Sequence, residues 1–294
     1  MNNQSIKNSG VFWMILAVFS LSIMQVFIRL TSDAINVFQQ VMFRNLFGIF
    51  VAAYFIHKED LSWFGEKKQQ PYLFGRSFLG FMGLVFFFYA TRDGTIADAT
   101  IINKTNPFFT TLFSFVFLKQ KVKFLQWVAL FIVLIGGAIT VDATFSAGFY
   151  VTFFAFLSAI ANGGAYTLLA YFKEKVSAMT VIMHFSTFCV LACIPFAFFE
   201  LKKPTVLDVI CLIFIGILGS IGQIALTNAY RLAPAAKVAI WDQLSIVLSV
   251  VLGYIIFGQV LTVRTFVGGF IIISTSIWSS IVNTEKRMSV NLKK

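Results

Sequence analysis

The apolar residues of this chain come in runs of about twenty, the length a helix needs to cross roughly 30 Å of hydrocarbon at 1.5 Å rise per residue. Read between charged or turn-forming breaks, the runs fall at 11–30, 36–56, 71–91, 97–118, 123–140, 147–170, 178–199, 206–230, 236–257 and 263–283. The connections are as short as 31–35 and 119–122, so no water-soluble domain fits between the runs. Composition agrees. Charged residues make up 12% of the chain, where a soluble domain carries about 25%, and 59% of the chain is hydrophobic. The expected fold class is an all-α integral membrane protein of ten transmembrane helices, with the lipid bilayer as its solvent.

A net charge of +11 could suggest a nucleic-acid partner. The basic residues are instead spread through the short segments between apolar runs, which excludes a basic domain and makes them topology signals. With a cytoplasmic N-terminus, the cytoplasmic segments hold Lys7, Lys58, Lys67, Lys68, Lys119, Lys121, Lys123, Lys173, Lys175, Arg231, Lys286, Arg287, Lys293 and Lys294. The opposite side holds Arg92, Lys202, Lys203 and Arg264. That asymmetry places a multi-pass protein in the cell (inner) membrane with both termini cytoplasmic. The first run is too long, and lacks the small-residue cleavage site, for a removable signal. Cys189, Cys193 and Cys211 lie inside apolar runs with no CxxC spacing, and so read as packing residues.

Self-comparison reveals a repeat. At a constant offset of 139, residues 73–134 align without a gap to 212–273. Gly80 pairs with Gly219, Gly83 with Gly222, Ala90 with Ala229, Arg92 with Arg231, Ala97 with Ala236, Ile101 with Ile240 and Gln120 with Gln259. Five helices is an odd number, so the second copy enters the membrane from the opposite side. The expected division is 1–140 as a first five-helix repeat (TM1–5), 147–283 as a second, inverted repeat (TM6–10), and 284–294 as a cytoplasmic basic tail.

Phe43-Arg44-Asn45, Gly75-Arg76, Phe88-Tyr89-Ala90, Ala97-Asp98-Ala99-Thr100 and Asn106-Pro107-Phe108-Phe109 resemble, in that order, the first half of the drug/metabolite transporter superfamily. The likeness is to its ten-helix EamA-type carriers, nearest to a branch that includes S-adenosylmethionine uptake carriers, and it covers nearly the whole chain. It implies a secondary transporter of a small polar metabolite, zwitterionic or anionic, such as an amino acid or S-adenosylmethionine, working by alternating access. Efflux of drugs or toxic metabolites is the alternative direction. A non-transporting receptor or scaffold is a remote third reading. The chain departs from the family pattern at Gln120 and Gln259, where a glutamate is usual, at Ile246, the repeat partner of Pro107, and at Ser22, Ile23 and Met24, where a tryptophan-glycine pair is common.

Ionisable groups inside a bilayer are costly unless paired or facing water, so each is a site candidate. Arg29, Arg76 and Lys237 fall near helix ends, from which they can snorkel to the headgroups. Arg44 and Lys104 sit seven or eight residues into their spans, roughly 10–12 Å deep, which calls for a polar cavity. The deep acid is Asp242, and the repeat makes Asn103 its equivalent and Gln243 the equivalent of Lys104. Inversion would set Asn103-Lys104 toward the outside and Trp241-Asp242-Gln243 toward the cytoplasm, roughly 10 Å apart. Asn162, in a bend at Asn162-Gly163-Gly164, and Tyr166 complete the candidate substrate-binding set: Arg44, Asn103, Lys104, Asn162, Tyr166, Trp241, Asp242 and Gln243. The competing reading is an internal charge network that only locks helix packing. Gln25, His184, Gln223 and Asn228 read first as interhelical hydrogen-bonding groups.

The basic groups outnumber the acid, which favours a substrate carrying a carboxylate or phosphate. Burial disfavours the ionised form of Asp242 unless a cation offsets it, which leaves proton coupling open. The small-residue positions Gly80, Gly83, Gly216, Gly219 and Gly222 read as smooth contacts along which one half could rock on the other. Gly136-Gly137 and Gly268-Gly269 serve either packing or a homodimer contact. HExxH, GxSxG, a phosphate loop and clustered carboxylates are all missing, so neither an enzyme, a catalytic residue, a metal nor a cofactor is expected.

Overall fold

In a computed structural model, the described residues are 10–119, 124–140, 148–172, 175–198, 203–232, 241–260 and 262–291. They form α1 (Gly10–Leu30), α2 (Val37–Lys58), α3 (Gln70–Asp93), α4 (Ile96–Asn103), α5 (Asn106–Leu118), α6 (Phe124–Thr140), α7 (Gly148–Phe172), α8 (Ala178–Ala197), α9 (Val206–Leu232), α10 (Leu244–Phe257) and α11 (Val263–Asn291), with no strand among them. Each expected span falls on helix wherever it is described, the fourth and ninth with an internal turn. Five helices are by themselves long and apolar enough to cross a bilayer: α1, α3, α7, α8 and α9. Large apolar side chains such as Phe50, Phe117, Ile255 and Phe270 stand exposed on the outer faces, the reverse of a soluble surface and suited to lipid.

The fourth span is not one helix. Pro107 has no N–H, and its ring collides with the carbonyl four residues back, that of Asn103. The chain therefore turns at Lys104 and Thr105, ending α4 and starting α5. The ninth span carries no proline, yet it too turns at Gln243, the repeat equivalent of Lys104, before α10 begins. The far ends correspond as well. Lys119 closes α5 and Gly258 closes α10, both in the left-handed conformation and 139 residues apart.

The principal packings all join the two halves: α1 on α9, α3 on α7, α2 on α8, and α6 on α11. Exchanging the halves turns the first contact into the second and leaves the other two unchanged, as a two-repeat fold with an internal two-fold relation requires. The halves consequently interleave, and the expectation that one rocks against the other as a body is corrected. The packing units are instead mixed bundles: α1, α2, α9 and α10 in one, α3, α4, α5, α7 and α8 in the other, joined chiefly where α2 meets α8.

Several local features hold these units. Asn36 and Gln39 cap α2 reciprocally. Asp208 accepts hydrogen bonds from the amide and hydroxyl of both Ser32 and Thr205, at 2.8 Å each, and so ties the turn after α1 to the start of α9. The three cysteines are buried and unbridged. A Cβ at Gly136 would lie 3.0 Å from Ile271 and Ile272 of α11, so this glycine packs within the chain rather than presenting a dimer face. α7 runs unbroken through Gly163 and Gly164. A Cβ at Gly163 would meet Phe109 at 2.4 Å, so the glycine admits α5. The last helix continues to Asn291, through most of the segment expected to be a tail.

Candidate functional site

Between the two bundles lies a cavity of about 140 Å³. Its polar lining is Ser22 and Gln25 from α1, Arg44 from α2, Arg76 from α3, Thr100 and Asn103 from α4, Lys104 and Asn106 at the break, Asn162 and Tyr166 from α7, Gln223 from α9, and Asp242 and Ser245 beside the second turn. Neither α6 nor α11 contributes to this lining. Broken spans suit such a place, because irregular backbone at membrane depth is tolerated where it borders a water-filled cavity.

Lys104 and Asp242 meet there. Lys104 Nζ donates to Asp242 Oδ2 at 2.6 Å, with 11% and 18% of the side chains exposed. The separation of roughly 10 Å reckoned from helix rise is thus closed by side-chain reach and by the turn that swings Lys104 out of the helical path. The pair bridges the two bundles across the cavity wall.

Arg44 and Arg76 are treated differently. Both are buried, at 5% and 4% exposure, and neither has a carboxylate partner among the described residues. Arg44 Nη2 donates to Gln223 Oε1 at 3.0 Å and Nη1 reaches Asn45 Oδ1 at 3.5 Å, while its Nε has no acceptor. Arg76 stacks 4.0 Å over the Phe185 ring and leaves Nε and Nη1 without acceptors. The expectation that Arg76 snorkels to the headgroups is corrected: α3 begins at Gln70, which sets Arg76 nearly two turns inside the helix, and it lines the cavity. A Cβ at Gly80 would sit 3.3 Å from Arg76 Nη1, and one at Gly219 would sit 2.6 Å from Arg44 Cγ. These repeat-related glycines each clear the space one buried guanidinium occupies.

A polar net holds the surrounding backbone. Asn103 and Asn162 both donate to Ser158 Oγ, at 2.7 and 3.1 Å, and Ser158 donates to the Gly83 carbonyl at 2.7 Å. Thr100 donates to Gln25 Oε1 at 2.9 Å and pairs with Ser249 Oγ at the same distance. Tyr166 lines the same cavity, within electrostatic reach of Asp242, Arg76 and Arg44. Of the candidate set, Arg44, Asn103, Lys104, Asn162, Tyr166 and Asp242 gather at the cavity.

Trp241 and Gln243 do not line it. About 100° of helical rotation per residue separates neighbours, so with Asp242 facing inward Trp241 turns outward, at 39% exposure. Gln243 is buried within the turn itself. Ser22, Gln25, Arg76, Thr100, Asn106, Gln223 and Ser245 are the polar lining residues absent from the candidate set. His184 Nδ1 pairs with Ser77 Oγ at 2.8 Å outside the lining, the bland role expected for it. Arg29 donates to the Thr91 and Arg92 carbonyls. Lys237 and Gln120 lie outside the described residues. Gln259 Oε1 accepts the Ile96 N–H at the start of α4, a capping task that an amide carbonyl performs as well as a carboxylate.

Two interleaved helical repeats around a central, charge-lined cavity define a multi-pass membrane transporter. The EamA-like transporter family model matches residues 8–141 and 150–281, and the chain belongs to that family. Among its relatives is the pseudopaline exporter CntI of Pseudomonas aeruginosa, 27% identical over 273 residues that cover 92% of this chain and 95% of the exporter. Solute carrier family 35 member G1 of Homo sapiens is 26% identical, covering 92% and 79%. An S-adenosylmethionine uptake transporter of Rickettsia bellii is 23% identical, covering 95% and 94%. A solved crystal structure superposes with a TM-score of 0.67 over 98% of this chain and 99% of its own, at 14% identity, and so shares the fold.

Proposed function

We propose that this protein is a secondary carrier that moves a small polar metabolite bearing a carboxylate across the inner membrane by alternating access. The observation that carries the reading is the pair of buried guanidinium side chains, Arg44 and Arg76, which line the cavity with no carboxylate partner among the described residues. Holding an unpaired charge out of water costs several kcal/mol, and such groups persist at depth where a pathway or a ligand uses them. The half-helix α5 adds its positive N-terminal end at Asn106.

The cavity, of about 140 Å³, has room for several waters or a small polar metabolite. Asp242 already has its cation in Lys104, so proton coupling there would have to break an ion pair. Asp242→Asn that keeps full proton-driven accumulation would argue against coupling at this carboxylate. Relatives named for export and for uptake leave both directions of flux in the reading. Cytoplasmic termini follow from the distribution of basic loops.

The test is flux of purified protein in liposomes against amino acids, nucleosides, S-adenosylmethionine, vitamins and quaternary amines. Carboxylate-bearing molecules of amino-acid size are expected to move and quaternary amines are not. Saturable binding without flux of any of them would favour a receptor or scaffold instead.

A further inference from the structure

The cavity holds two charged groups of different kinds, and their difference specifies more than a negative charge. Arg44 and Arg76 both line the cavity with no carboxylate partner among the described residues, and a carboxylate offers about four lone-pair sites on two oxygens. Lys104 and Asp242 are one of each sign, already in contact, with both side chains at the cavity surface. A ligand ammonium and carboxylate on adjacent atoms can replace that contact group for group, the ammonium taking Asp242 and the carboxylate taking Lys104. Tyr166 lines the cavity within electrostatic reach of both groups.

We propose that the cavity is a two-part site for an acidic amino acid: the α-ammonium and α-carboxylate exchange with the Lys104–Asp242 ion pair, and the side-chain carboxylate enters between Arg44 and Arg76. Such a ligand gives every charged group in the described lining a partner of opposite sign. An amine-free dicarboxylate leaves Asp242 competing with it for Lys104. A neutral side chain leaves both guanidiniums bare. The assignment rests on the carrier reading above and adds to it the substrate class and the division of labour.

The experiment is equilibrium binding of three five-carbon probes to the purified full-length protein in detergent: L-glutamate, glutarate and L-norvaline. L-Glutamate is expected to bind at least about tenfold more tightly than either of the others, the equivalent of one lost charged contact. In Arg76→Gln the L-glutamate and L-norvaline affinities should converge, and in Asp242→Asn those of L-glutamate and glutarate should converge. The wild-type ranking needs no variant and decides the matter if a variant fails to fold. Glutarate or L-norvaline binding within about threefold of L-glutamate overturns the assignment, as does no binding by all three. Flux of some other carboxylate in the liposome screen would leave the carrier reading standing in either case.

Discussion

The cavity contains two solutions to the same problem, a cation held at membrane depth. At Lys104 the charge is answered from within the protein by Asp242 at 2.6 Å. At Arg44 and Arg76 it is answered only by an amide, an aromatic face and the cavity itself. The first is a closed pair between the bundles, which a ligand has to exchange with to open, and the second presents positive charge to the cavity. The two should consequently respond to mutation with stability changes of opposite sign, because breaking a pair strands a charge whereas deleting an unpaired charge removes a burden.

The largest effect is expected at the arginines. Arg44→Gln or Arg76→Gln should lower flux by about a hundredfold, within the ~2–5 kcal/mol cost of truncating a buried charged contact, while heat stability in detergent stays level or rises. Asp242→Ala should lower both flux and stability, with about 3–5 kcal/mol of destabilisation from the stranded ammonium. Lys104→Met combined with Asp242→Asn should recover much of that stability but not the flux, a non-additivity that a double-mutant cycle measures.

Smaller effects test the supporting structure. Gly219→Ala should weaken transport more than Gly80→Ala, since the added carbon meets Arg44 Cγ at 2.6 Å in one case and Arg76 Nη1 at 3.3 Å in the other. The readout is the apparent affinity for substrate in the liposome assay. Trp241→Phe should change flux by less than about twofold, because a surface substitution away from the cavity is worth within ~0.5 kcal/mol.

The fold was legible because lipid imposes one length scale, so the helix boundaries followed from apolar runs and short polar gaps. The site was legible where depth alone argued for a cavity, as at Arg44, Lys104 and Asp242. It was not legible at Arg76, because its distance from the span boundary matched that of a snorkelling residue. Only the spatial fit to Gly80 distinguishes the two, and a linear pattern does not carry it. Trp241 and Gln243 were misassigned because adjacency in sequence stood in for a shared face, which helical rotation forbids. The interleaving of the halves was likewise out of reach, since an alignment relates the repeats without saying which helix of one lies against which helix of the other.

The most direct test is flux of a small carboxylate-bearing substrate through liposomes containing the Arg44→Gln/Arg76→Gln double variant, beside the wild-type protein. The account predicts transport at background from a monodisperse protein at least as heat-stable as the parent. Flux within about twofold of wild type would show that the two guanidiniums are not what holds the substrate.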